Sequence, residues 1–350
     1  MLRIMLLLVL VLPGPAKAMD VEDWSRLEPA FDHLCRDVLA GADIVPDAVR
    51  DLLEHVSHQP QASVAIPRYD GAPGAYQAFS LDRPMRQLLR YLYNPAIPEE
   101  VLKPFSIRSS QWLEPVPQLE NLWLESWPPD RILVLRGIQE DRTTPDGSTG
   151  GWYRMRLQRA LVLMPWENGQ ALLSVSVQPE RSEVGAKGYA LGAENGWPYV
   201  YSDQEGLTKT GLGWVKSRIE SNVSVAVFLA RPGQPVVKGV FQWLRAGWSG
   251  LSVVTAEHVR QSLLRYEQEL GRVLHASDLP EPEALEQRYR ELAALDSAAV
   301  RQIWVWPDDS TPLPPSLGQA LDDESYLEAL DDQEVRSMVL TQWLRQLLLD

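Results

Sequence analysis

Apolar residues recur every three or four positions at the start of the chain and every second position through its middle, which divides it into a helical part and a strand part. In residues 21–39, Leu27, Phe31, Leu34 and Val38 fall on one side of a helix. Gly41 ends it, and Pro46-Asp47 opens a second helix to His58, with Val49, Leu52, Leu53 and Val56 as its apolar face. Residues 59–78, rich in Gly, Pro and Ala, read as a loop. A third helix follows Asp82-Arg83-Pro84 and carries Leu88, Leu89 and Tyr91 to about Tyr93. Pro95 and Pro98 bracket a turn, and the prolines from Pro115 to Pro129 argue against regular structure there.

From Arg131 the period is that of strands. Residues 131–138 are apolar, and residues 152–164 put Met155 and Leu157 on one face and Arg154, Arg156 and Gln158 on the other. Asn168-Gly169 is the strongest hairpin signal, leading into residues 171–178 with Leu173, Val175 and Val177 aligned. Short strands are expected at 188–191 and 197–201. A long one at 218–229 carries Val223, Val225, Val227 and Leu229 on one side, and residues 236–244 return antiparallel after a Pro/Gly turn. Thr255 then caps a helix with Val259, Leu263 and Leu270 along one side.

The expected fold is therefore α+β: N-terminal helices, an antiparallel curved sheet of about six strands, and a long helix, with the helices on one face. This order of elements is similar to the helix-grip arrangement of START-like lipid carriers. The likeness is one of element order, without a diagnostic motif, and it implies a helix closing an apolar pocket over the sheet. Residues 282–303 add a polar helix with a thin stripe of Leu285, Tyr289, Leu292 and Leu295. After a Pro/Asp/Ser linker at 307–315, residues 321–350 end in a helix with Val335, Met338, Val339, Trp343, Leu347 and Leu348 as its apolar face.

The first eighteen residues stand apart. Arg3, an apolar run from Ile4 to Leu12, a Pro-Gly-Pro break and Ala16-Lys17-Ala18 match a secretory signal with its cleavage site. The run is too short to span a bilayer, and every later apolar run is interrupted by charged or amide residues. The expectation is an exported, periplasmic or secreted protein without a transmembrane span. Its expected organisation is a signal at 1–18, a helical and Pro-rich segment at 19–130, sheet plus long helix at 131–275, and an acidic helical extension at 276–350.

Composition narrows the function. The 350 residues are 45% hydrophobic, which excludes general disorder, and the net charge of −14 excludes a basic nucleic-acid binder. Most of that charge is local: residues 276–350 hold sixteen acidic residues against five arginines. Such an acidic helical end is a candidate surface for an envelope partner through residues 308–350. The lone Cys35 rules out a disulfide framework and reads as a buried thiol.

Catalytic and metal motifs are weak. Lys209-Thr210-Gly211 lacks the Ser-x-x-Lys that penicillin-recognising enzymes need, and Gly247-Trp248-Ser249-Gly250 is followed by Leu251 where a nucleophile elbow needs Gly. His55 and His58 sit three apart on a helix, a spacing that an ordinary surface pair explains without a metal. No cofactor motif is present. Glu180, Glu183, Glu194, Asp203 and Glu205, with Trp197, Tyr199, Tyr201 and Trp214 nearby, keep a glycan hydrolase in view.

The 13 Trp against 5 Phe are unusual, and six of them lie between Trp152 and Trp248 in the strand region. Trp suits a pocket wall with one wet end. The leading expectation is thus non-catalytic binding of a lipid-like or amphipathic ligand, lined by Trp214, Phe228, Phe241, Trp243 and Trp248. An envelope scaffold and a glycan hydrolase are the alternatives.

Overall fold

The computed structural model describes residues 18–124, 127–145, 150–190, 199–209, 213–248, 251–305 and 328–349. The expected signal segment, apart from Ala18, and the 307–315 linker lie outside the described residues. Two helices come first: α1 (Val21–Asp32), extended by a wider π-helical turn at His33–Val38, and α2 (Pro46–His58). Asp20 caps α1 by accepting from the Glu22 N–H, and a proline at its start suits α2.

The loop expected at 59–78 is instead a hairpin of β1 (Ala62–Tyr69) and β2 (Ala72–Leu81). Its turn residues, Asp70 and Gly71, both have positive φ (47° and 75°), the requirement of a type I′ turn. The alanines, prolines and glycines of these strands carry little β-propensity of their own. Pairing of β2 with the later strand β13 (Val236–Trp248), in register from Leu81↔Val236 to Gly74↔Trp243, supplies what propensity does not. Pro67 sits where the β1–β2 register shifts, a position that spares the ladder.

α3 (Met85–Tyr93) and α4 (Glu99–Leu102) lead to β3 (Ile107–Trp112) and β4 (Leu133–Thr143). Then follow β5 (Gly151–Trp152), β6 (Arg154–Trp166) and β7 (Gly169–Val177). The β6–β7 hairpin turns one residue earlier than expected: Trp166 pairs with Gly169, and Glu167 takes the positive φ. Gly169 is needed for close approach, since a Cβ there would sit 1.9 Å from the Ala230 carbonyl oxygen. A small three-stranded sheet joins β5 to β8 (Ala186–Ala190) and β9 (Tyr199–Glu205), and β10 (Leu207–Lys209) pairs with β11 (Gly213–Val215).

β12 (Arg218–Ala230), β13 and β14 (Leu251–Ser252) complete the main sheet. It is open, antiparallel and nine-stranded, in the order β1-β2-β13-β12-β7-β6-β4-β3 with β14 on β13. Strands from both sides of residue 130 are therefore paired in one sheet.

Both faces of this sheet are covered, where helices on one face were expected. Val223, Val225, Val227, Leu229, Phe241 and Trp243 pack against Trp24, Phe31, Leu52 and Val56 of α1 and α2. Phe79, Leu135, Leu163, Leu172 and Phe228 face the opposite way, into a second core with α3 and α4. That core also holds α5 (Ala256–His275), α6 (Pro282–Ala293), α7 (Ser297–Ile303) and α8 (Asp332–Leu349). The single helix expected at 282–303 breaks into α6 and α7, because the Asp296 carboxylate caps α7 by accepting from the Ala299 N–H at 2.8 Å. Val335, Leu340 and Leu344 of α8 are fully buried in the second core. Among the described residues, no helix is long and apolar enough to cross a membrane.

Candidate functional site

The turn bracketed by Pro95 and Pro98 delivers α4 onto the face of the sheet opposite α1 and α2. There Glu99 meets β3 and β4, whose register sets Ser110 opposite Asp141 and Trp112 opposite Gln139. Ser110 Oγ lies 3.0 Å from Glu99 Oε2 and 2.6 Å from Asp141 Oδ1, so one hydroxyl bridges two carboxyls. Gln139 Nε2 donates to the same Glu99 oxygen at 2.8 Å, and Lys103 pairs with the other. The row continues across the sheet: Arg159 donates to Gln139 Oε1 at 2.7 Å and to Ser174 Oγ at 3.2 Å. Next to it Lys238 donates to Tyr266 Oη at 2.8 Å, with the Phe228 ring centre 5.0 Å and the Phe79 centre 5.7 Å from its Nζ.

Burial alone would raise the Glu99 carboxyl, but Lys103 and then Arg159 hold it below the usual carboxylate range. Asp141 is pushed the other way, by burial first and then by the negative charge of Glu99. Burial, followed by the charge of Lys103, keeps Lys238 well below the ordinary lysine value. The environment thus pushes the two carboxyls apart, Glu99 below and Asp141 above the usual carboxylate range, a division that acid–base and hydrogen-bonding sites share.

Above this row lies a cavity of about 560 Å³. Glu99, Ser110 and Gln139 line its polar floor, while Tyr93, Trp112, Trp123 and Tyr289 with Leu92, Ile97 and Val116 make its walls. Trp112 lies directly over Gly137, where an added Cβ would come within 3.0 Å of its ring. The Pro-rich segment after Trp112 closes one side, with a 3-10 turn at Leu119–Leu122 that plants Leu119 and Leu122 in the core.

Glu100, next to Glu99, is buried, and neither of its carboxyl oxygens has a hydrogen-bond partner among the described residues. Burial pushes it up to about 7. The folded protein keeps this proton where the unfolded chain, with an ordinary value of 4.5, has released it, so stability falls as pH rises through that window. Glu100→Gln is expected to raise unfolding free energy by about 3 kcal/mol at pH 8 and to leave it nearly unchanged at pH 4. Urea titrations at the two pH values check this; an equal effect at both would refute it.

Of the residues expected to line a pocket, Phe241 and Trp243 lie together, their ring centres 6.4 Å apart, but Phe228 does not join them. Phe241 and Trp243 are fully buried against α1 and α2, whereas Phe228 is on the opposite face beside Lys238. Trp248 is half-buried at the end of β13, paired with Leu251. Trp214 pairs with Thr208 in the β10–β11 ribbon, and its side chain lies outside the described residues. The loop acids are dispersed. Glu180 is exposed, Glu183 lies 3.7 Å from Arg154, Glu205 pairs with Lys216 at 3.0 Å, and Glu194 and Trp197 are outside the described residues. The two tryptophans that line the cavity are Trp112 at the end of β3 and Trp123 in the Pro-rich stretch that follows, neither of them in the expected set.

Burial, then Asp32, pushes the Cys35 thiol up to about 12, which leaves it inert at neutral pH. His55 packs on Tyr76 at 5.3 Å, and no group of three potential ligands that could hold a metal ion occurs among the described residues.

Fold and site together define an α+β protein with an open antiparallel sheet, helices on both faces, and an aromatic-walled cavity over two carboxyls that share the Ser110 hydroxyl. Compared with known proteins, the chain matches no protein-family model and no curated protein.

Proposed function

We propose that this protein binds a small amphipathic molecule, without transforming it, in the cavity above Glu99. The observation that carries the reading is the cavity itself: about 560 Å³, apolar and aromatic on its walls, and hydrogen-bonding on its floor. That composition suits a ligand with an apolar body and one polar end. The position of α5 after the long strands, packed on β1, β2 and β13, supports the helix-grip order, but the cavity lies beside α3, α4 and β3 instead. The reading goes with an exported protein, as the N-terminal segment suggests. An envelope partner for α8 is less favoured, because Val335, Leu340 and Leu344 are buried within the chain itself.

A glycan hydrolase is the second reading, favoured by the two carboxyls that share Ser110. It ranks lower because Asp141 sits behind Ser110 and Glu99 alone of the pair lines the cavity.

The neutral dye N-phenyl-1-naphthylamine tests the first reading. It is expected to bind saturably with a fluorescence rise. Trp123→Ala, which removes a wall, and Gly137→Val, which drives Trp112 out of place, should each weaken it about tenfold or more. An affinity unchanged by both substitutions, with far-UV spectra still folded, would remove the cavity as the binding site.

A further inference from the structure

The lining of the cavity is uneven in charge. It includes three carboxylates, Glu99, Glu114 and Glu120, and no lysine, arginine or histidine. Lys103 offsets Glu99 from behind the floor. Glu114 and Glu120 are exposed at the mouth, and neither forms an ion pair among the described residues. Between mouth and floor stand the faces and edges of Trp112 and Trp123, half-buried and therefore available to a ligand.

We infer that the cavity selects an organic cation, a protonated amine or quaternary ammonium that carries an apolar body. The inference rests on the binding reading above and adds the charge of the ligand to it. Aromatic rings attract a cation through their negative faces, and the attraction grows where water is excluded. Two uncompensated carboxylates at the mouth draw the same charge in and repel an anion, which would also find no basic side chain to receive it. An anionic lipid head, such as a fatty carboxylate, meets the wrong sign at every charged lining group. A neutral sugar head could hydrogen-bond to the floor but would gain nothing from Glu114 and Glu120.

Three compounds with one tail separate these cases: octyltrimethylammonium, octyl glucoside and octanoate, titrated below micelle formation into the full chain by calorimetry. The cation is expected to bind about tenfold or more tightly than the glucoside, and octanoate not measurably. Its affinity should fall as salt is raised. The double substitution Glu114→Gln and Glu120→Gln, at exposed positions, should weaken the cation to the level of the glucoside and leave the glucoside unchanged. Binding of the glucoside or octanoate as tightly as the cation overturns the inference while the binding reading stands, as does a cation affinity that the double substitution leaves intact. If none of the three binds, the binding reading fails and the inference with it.

Discussion

Trp243→Ala will cost about 3–5 kcal/mol of stability, the range for emptying a large aromatic from a packed core. The indole is fully buried, with ring centres of Phe31, Tyr69 and Trp24 at 4.9, 5.2 and 5.8 Å. Its Nε1 donates to the Pro67 carbonyl at 2.9 Å, which ties the irregular part of β1 to β13. Across the ladder the partner is Gly74, where any Cβ would stand 2.3 Å from the indole Cδ1, so this pair is shaped around the ring. Truncation therefore loses the transfer energy of the ring and leaves a void that α1 cannot close without moving. Urea unfolding should show a lower midpoint at an unchanged slope. Because Trp243 is on the face away from the cavity, the variant should still bind the naphthylamine dye wherever it is folded. A loss below about 1 kcal/mol would mean the core relaxes around the gap far more than this packing allows.

The second large effect is at the ion pair that fastens α8. Arg108 of β3 meets Glu334 through one edge of its guanidinium, Nε donating to Oε1 at 2.5 Å and Nη2 to Oε2 at 3.0 Å. The two side chains are 7% and 3% exposed, and the guanidinium lies 4.1 Å from the Tyr201 ring centre and 4.4 Å from that of Trp152. Arg108→Ala leaves a buried carboxylate whose remaining basic partner among the described residues is Arg142, 4.0 Å away, and should cost about 3–5 kcal/mol. Replacing both partners by apolar residues, Arg108→Met with Glu334→Leu, should recover most of that loss, because no buried charge is then stranded. Limited proteolysis should cut the Arg108→Ala chain near α8 before the rest. If the double variant is as unstable as the two single losses added, the penalty comes from lost packing and not from stranded charge.

The pattern of apolar positions anticipated α1, α2, α3 and α5 and the long strands β6, β7, β12 and β13, because each has a continuous apolar stripe. It missed β1 and β2, whose Ala- and Gly-rich residues gain strand character only by lying between partners. Asp70-Gly71 is the sequence signal for that hairpin, in the same class as the Asn168-Gly169 pair.

The site was harder to see for a more specific reason. Gln139 and Asp141 of β4, Arg159 of β6, Ser174 of β7 and Lys238 of β13 occupy alternate polar positions, the pattern of a strand face turned to water. In the protein most of that face is buried under α3, α4 and α5, where the polar side chains satisfy one another. Phe228, a pocket wall by the sequence pattern, is part of the aromatic surround of Lys238.

By itself the sequence determined the mixed α+β class, the antiparallel hairpins, the position of the long helix and the weakness of any metal or nucleophile motif. These follow from local periodicity and from residue types present or absent. Only the tertiary structure decided that the sheet has two covered faces and that Glu99, Ser110 and Asp141 meet. It alone put the Pro-rich stretch with Trp112 and Trp123 around a cavity. Those are contacts between segments far apart in the chain, forty residues from Glu99 to Gln139 and 226 from Arg108 to Glu334, and no period of two or 3.6 residues records which segments come to face each other.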